Sequence, residues 1–300
     1  MTPTTDTLDN NIARPNQRAQ AYVELAKLRL VAMVLITTSV GFYVASTGTL
    51  EWMRFIQTIV GTGLAAAGVL VLNQYIERDL DAQMVRTCHR PLPDKRLQPM
   101  EALVFGVLLT IGGLLYLTFV VNILSGLAIS AIVITYLFVY TPLKQKSSLC
   151  TVAGAIPGAL PPVVGWVAAR GTLNIEAWVL FAILFLWQLP HSLSIACIYR
   201  DDYAQAGFRL LPVIHPDGQS TRRQIVNNCV ALLVVGLLPT LIGLTGIIYF
   251  FASLILGGVF LGFGINLAIS RSMVAAKRLL YASLVYLPMM FLMMALDKIT

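Results

Sequence analysis

The chain has 300 residues, 57% of them hydrophobic and 12% charged, with a formal net charge of +7. A soluble domain uses about 25% charged and about 45–50% apolar residues, so this chain has too little polar side-chain surface to face water all round. The composition excludes an ordinary soluble protein and points to one that crosses the membrane several times.

Residues 1–20 are polar and include Asp6 and Asp9. No short apolar core with a small-residue cleavage site follows them, and the acids argue against a mitochondrial transit peptide. The expectation is a disordered cytoplasmic tail over 1–20 and a single transmembrane domain over 21–300. A helical span needs about 20 predominantly apolar residues. Nine such stretches follow in order: 30–48, 55–76, 102–121, 123–141, 149–169, 177–198, 225–243, 246–268 and 279–296. The fifth is interrupted by Gly154, Pro157, Gly158, Pro161 and Pro162, which membrane helices tolerate where neighbours satisfy the freed backbone groups. The predicted fold is therefore all-α, with nine transmembrane helices around a central cavity open to the cytoplasmic face. Gly61, Gly63 and the Ala65-Ala66-Ala67-Gly68 run are expected at helix contacts, because no span carries a paired charge.

With nine spans, the N-terminus shares one side with the loops that follow even-numbered spans. That side holds 18 of the 21 Lys and Arg residues. By the positive-inside rule the N-terminus is cytoplasmic and the C-terminus outside. Topology alone accounts for the basic balance, so no nucleic-acid partner is implied. Cys88, Cys150, Cys197 and Cys229 form no CxxC pair and fall at or near cytoplasmic ends, where they read as free thiols.

Carboxylates gather at two cytoplasmic helix ends. Asn73, Glu77 and Asp81, at the end of the second span, recur every four residues and share one helical stripe, while Asp79 points away from it. Two carboxylates and an amide suit magnesium, which takes one or two carboxylates together with substrate phosphate oxygens. Arg78, Arg86, Arg90, Lys95 and Arg96 follow directly, so the pattern suits a diphosphate. The second group, Tyr199-Arg200-Asp201-Asp202-Tyr203, closes the sixth span. His191 is the one intramembrane ionisable side chain apart from Tyr and Cys, which makes it a functional candidate. If the helix continues to Asp202, the imidazole lies on nearly the same face, roughly 16 Å deeper at 1.5 Å per residue. A ligating role, a simple hydrogen bond between helices and another polar contact with substrate all remain open for it.

Asn73-x3-Glu77-x3-Asp81 followed by Met84-x-Arg86-Thr87-x2-Arg90-Pro91-Leu92 resembles the first motif of the UbiA-type intramembrane prenyltransferases, in their haem O synthase branch. Tyr140-Thr141-x-Leu143-Lys144 and Pro161-Pro162-x2-Gly165-Trp166 are similar to that branch's next loop and helix. Trp187-Gln188-x-Pro190-His191 and Asp202-Tyr203-x2-Ala206-Gly207-x3-Leu211-Pro212-Val213 resemble its second cluster, and Thr221-Arg222-Arg223-Gln224-Ile225 the stretch that leads into the seventh span. Glu77 stands where that family commonly has Asp. The wider superfamily's second DxxxD is missing, as it is in the haem O branch.

The resemblance implies transfer of a farnesyl group from farnesyl diphosphate to a vinyl group of haem B, followed by addition of water. It implies magnesium held by Asn73, Glu77, Asp81, Asp201 and Asp202, diphosphate contacts from Arg86, Arg90 and Lys144, and haem contacts from His191 and Tyr203. The setting would be the multi-pass plasma (inner) membrane of a prokaryote, with the lipid bilayer as solvent. A homo-oligomer, or association with oxidase assembly proteins, is compatible with it. The competing functions are a prenyltransferase with a quinone-precursor or chlorophyll-type acceptor, a haem-binding assembly factor, and a transporter. The paired acid clusters count against a mere haem binder, and the nearly charge-free midplane counts against a transporter.

Overall fold

The computed structural model describes residues 15–299, all of them in helices, turns or short connections apart from one isolated bridge between Thr245 and Lys298. The first part of the expected tail, residues 1–14, lies outside the described residues. Its last part does not bear out the expectation of disorder, because Pro15–Leu25 forms α1.

Among the described residues, nine helical segments are long and apolar enough to cross a membrane. They are α2 (Leu28–Ala45), α3 (Trp52–Asp81), α4 (Pro99–Tyr116, extended by a π-helical turn to Val121) and α5 (Ile123–Ile134, extended by a π-helical turn over Thr135–Tyr140). The fifth crossing is split into α6 (Cys150–Ala159) and α7 (Pro161–Arg170), and α8 (Ile175–Ile198) is the sixth. Two short helices, α9 (Arg200–Gln205) and α10 (Leu211–Ile214), precede α11 (Gln219–Leu241), α12 (Ile247–Ser270) and α13 (Met273–Leu296). Helices are the solution here because lipid offers the backbone no hydrogen-bond partner. Large apolar side chains point outward accordingly, with Phe119, Ile269 and Leu296 more than two-thirds exposed.

Small residues let the helices approach. A Cβ on Gly68 would lie 2.5 Å from the Thr110 amide nitrogen, and one on Gly113 would lie 2.4 Å from that of Ala65, so α3 and α4 meet backbone to backbone. Gly61 packs against Leu117 in the same seam, whereas Gly63 meets only Leu35 at ordinary distance. A second seam joins α2 to α7, where a Cβ on Gly165 would lie 2.0 Å from the Thr38 carbonyl oxygen. Pro161 begins a new helix at the break after Leu160, and α7 buries Val163, Val164 and Trp166 in the main core.

On the face opposite the acid clusters, polar latches close the bundle. Arg170 Nε donates to the Ala45 carbonyl at 2.6 Å, and Lys298 Nζ donates to the carbonyls of Tyr43 (2.8 Å) and Ser46. The Tyr249 amide donates to Asp297 Oδ2 at 2.7 Å.

Candidate functional site

The site grows from the length of α3. Its 30 residues carry the helix past the apolar stretch to Asp81, so the four-residue repeat stays in phase. Asn73, Glu77 and Asp81 all face inward and are 2%, 5% and 1% exposed. The Asp79 side chain is 82% exposed and, among the described residues, pairs with Arg78 at 3.7 Å, as its position off the stripe requires.

Each carboxylate meets a cation from a different part of the chain. Glu77 Oε1 lies 2.6 Å from Lys144 Nζ, just beyond α5, and Asp81 Oδ2 lies 2.6 Å from Arg90 Nη1 in the loop after α3. That loop is pinned at both ends. The Thr87 hydroxyl donates to the Asp81 carbonyl at 2.8 Å, and Arg96 donates to Glu24 of α1 at 2.7 Å. The Asn73 amide donates to Thr141 Oγ1 at 3.2 Å, and that hydroxyl in turn donates to the Tyr136 carbonyl at 2.8 Å. The π turn explains the second bond: one extra residue per turn leaves Tyr136 and Thr141 in register and swings Tyr136 and Tyr140 toward the stripe. Arg86 completes the rim, donating to the Tyr203 hydroxyl at 3.2 Å and lying over the Tyr199 ring.

These groups enclose a polar pocket of about 140 Å³, and Lys27 is its further occupant. Sequence reasoning counted Lys27 only as a topological charge. It sits at the bend between α1 and α2 with φ of 50°, a left-handed conformation that turns it inward. Burial, reinforced by Arg90, pushes its ammonium down to about 7. The Lys144 ammonium is held above its ordinary value although burial opposes its charge, because Tyr140 and Glu77 lie against it.

The second acid cluster is placed differently from the expectation. α8 ends at Ile198, and Tyr199 (φ −108°, ψ 29°) breaks the helix, so Asp201 and Asp202 do not continue the face of His191. The Asp201 side chain is 92% exposed and pairs with Arg200 at 3.2 Å. It borders a separate pocket of about 320 Å³ with His215, Thr221, Arg222 and Arg271. Asp202 is half-buried and does not line the polar pocket. The described residues thus bring together Asn73, Glu77, Asp81, Arg86, Arg90, Lys144 and Tyr203, but not Asp201 or Asp202. Among them no three His, Cys, Asp or Glu side chains form a metal-binding group. Of the five residues expected to hold magnesium, Asn73, Glu77 and Asp81 line the polar pocket and Asp201 and Asp202 do not. Those three do fit a magnesium ion shared with a phosphate, because Asn73 Oδ1, Glu77 Oε2 and Asp81 Oδ1 are left without hydrogen bonds among the described residues.

Two further pockets adjoin. One, of about 260 Å³, shares Tyr140, Tyr203 and Leu210 with the polar pocket. The other, of about 370 Å³, is mostly apolar and is bordered by Ile129, Leu184, Trp187 and His191. Tyr136 borders all three. His191 makes the helix-to-helix hydrogen bond, its Nδ1 lying 2.7 Å from Ser283 Oγ of α13, and its ring stacks on Trp187 with centroids 4.9 Å apart.

Residues 34–294 match the UbiA prenyltransferase family. The chain is 45% identical to protoheme IX farnesyltransferase of Solibacter usitatus, over 92% of this chain and 98% of that one. Its fold superposes on a structure of digeranylgeranylglyceryl phosphate synthase with a TM-score of 0.80 at 16% identity, covering 94% of this chain and 98% of the other. It superposes on a UbiA homologue from Archaeoglobus fulgidus bound to GPP and Mg2+ with a TM-score of 0.64 at 16% identity, covering 91% and 99%.

Proposed function

The chain belongs to the UbiA prenyltransferase family, and we propose that it transfers the farnesyl group of farnesyl diphosphate to a vinyl group of haem B, with water added, to give haem O and diphosphate. The protein is a multi-pass membrane prenyltransferase. The observation that carries the proposal is the meeting of half-buried Lys27, Arg90 and Lys144 with the buried Asn73/Glu77/Asp81 stripe, next to apolar space for greasy substrates. The acceptor is assigned from the protoheme IX farnesyltransferase relative.

The chemical difficulty is loss of diphosphate from the allylic carbon. Arg86, Arg90 and Lys144 supply fixed positive charge where the leaving group gathers negative charge, and Lys27, pushed down to about 7 by burial, takes up its charge as the diphosphate arrives. Magnesium, held by Asn73, Glu77 and Asp81, neutralises part of that charge when bound. Glu77 and Asp81 keep the cations in place before substrate arrives. Tyr203 borders both the polar pocket and its neighbour of about 260 Å³, and His191, which borders the apolar pocket, is the residue placed to hold the haem. The basic side of the bundle faces the cytoplasm of a prokaryotic cell, supported by the 18-to-3 partition of Lys and Arg.

Detergent-purified protein given haem B, farnesyl diphosphate and magnesium is expected to yield a pigment with the mass of haem O. Haem B recovered unchanged while the protein prenylates an aromatic acid would overturn the acceptor assignment.

A further inference from the structure

We propose that Ser283 is a positioning residue that fixes the tautomer of His191 and presents its Nε2 lone pair to the acceptor. Ser283 belongs to α13 and is fully buried. Its Oγ lies 2.6 Å from the Leu280 carbonyl oxygen, three residues earlier, and 2.7 Å from His191 Nδ1. A serine hydroxyl carries one proton, and a carbonyl oxygen can only accept. The proton therefore lies between Ser283 Oγ and Leu280 O, since without it two oxygens would face each other unbridged. Committed in that direction, Oγ can only accept from the imidazole, so Nδ1 carries the ring proton. A neutral imidazole has one such proton, and Nε2 is left with its lone pair.

The ring cannot easily turn to exchange its nitrogens. Trp187, one helical turn earlier on α8, stacks on it at an interplanar angle of 20°. Trp187 is itself anchored to the same residue, its Nε1 donating to the Ser283 carbonyl at 2.9 Å. Ser283 thus holds both rings of the stack, one through its side chain and one through its backbone. Ser283 does not border the apolar pocket, whereas His191 does, and Nε2 makes no hydrogen bond among the described residues. The nitrogen that Ser283 leaves unprotonated is the one free to meet a ligand. An iron needs that lone pair. The opposite tautomer would offer it a proton.

This inference rests on the placing of haem B at His191, but its first test is independent of haem. Histidine-selective 15N magnetic resonance of the full chain in lipid, without haem, reads the tautomer of His191, assigned by its loss in His191→Gln. The wild type is expected to carry its proton on Nδ1. A proton on Nε2 would overturn the inference and would need no variant to do so. Haem B titration followed by optical spectroscopy is the second arm. Ser283→Ala is expected to weaken binding at least tenfold and to broaden the absorption band of the bound haem, while Ser283→Thr, which keeps the hydroxyl, retains the wild-type spectrum. Ser283→Ala binding haem with wild-type affinity and spectrum would refute the positioning role. A wild-type spectrum in His191→Ala, with Nδ1 still protonated in the parent, would instead remove the haem placement and leave the tautomer assignment intact.

Discussion

Lys144→Gln separates the two duties that the geometry gives this lysine. In the resting pocket its ammonium lies 2.6 Å from Glu77 Oε1, with the two side chains 15% and 6% exposed. Removing one partner of a buried pair strands the other charge, at a cost of about 3–5 kcal/mol. Catalysis loses a cation as well. A unit charge about 4 Å from a phosphate oxygen contributes on the order of 4 kcal/mol at an effective dielectric constant of about 20. That corresponds to a fall of roughly 10³-fold in kcat/KM, the share already present in the bound substrate appearing in KM and the rest in kcat. The double variant Glu77→Gln/Lys144→Gln distinguishes the effects, because it removes the stranded carboxylate. Thermal unfolding of the detergent-solubilised protein should show the double variant recovering most of the stability lost in Lys144→Gln. Turnover with farnesyl diphosphate and haem B should stay at or below that of the single variant. Recovery of turnover along with stability would refute both a role for Lys144 on the diphosphate and one for Glu77 on the metal, and reduce the pair to a structural one.

Asp81→Asn, which removes a carboxylate from the stripe, should cost several kcal/mol of transition-state stabilisation and abolish most turnover at saturating magnesium. Asp79→Asn and Asp201→Asn, which change exposed groups outside the polar pocket, should stay within about threefold of wild type in the same assay. Burial pushes the Lys27 ammonium down to about 7. An arriving diphosphate favours the charged form, so binding takes up a proton above that pH and weakens as pH rises. Calorimetry in buffers of different ionisation enthalpy should detect the uptake, and Lys27→Arg, permanently charged, should remove it. Gly165→Val would drive side-chain atoms into the Thr38 carbonyl and should lower the unfolding temperature markedly, whereas Gly258→Ala, where an added Cβ meets nothing within 4 Å, should leave it unchanged.

Much of this molecule was legible in its residues because lipid simplifies the code. Each of the nine observed spans overlaps its predicted stretch, and the Asn73/Glu77/Asp81 stripe stayed in phase because α3 runs unbroken through Asp81. Gly61 and Gly68 packed as small residues in a membrane should. What failed was extrapolation past a helix end. The shared face of His191 and Asp202 required a helix that Tyr199 interrupts, and no periodicity in Ile198-Tyr199-Arg200 announces the break. Lys27 was missed for a related reason. Beside Arg29 it is one of two cations at the head of a span, and only the left-handed backbone at position 27 turns it into the pocket. The partners of His191 and of Gly165 lie 92 and about 127 residues away in sequence, beyond the reach of any local pattern.

The most direct measurement is a structure of the enzyme in lipid with magnesium, haem B and a farnesyl thiolodiphosphate that cannot leave. The account predicts the diphosphate between Lys27, Arg90 and Lys144, with the haem iron facing His191 Nε2 across the apolar pocket. A diphosphate bound instead against Arg200, Arg222 and Arg271, or a haem outside the pocket that His191 borders, would contradict it.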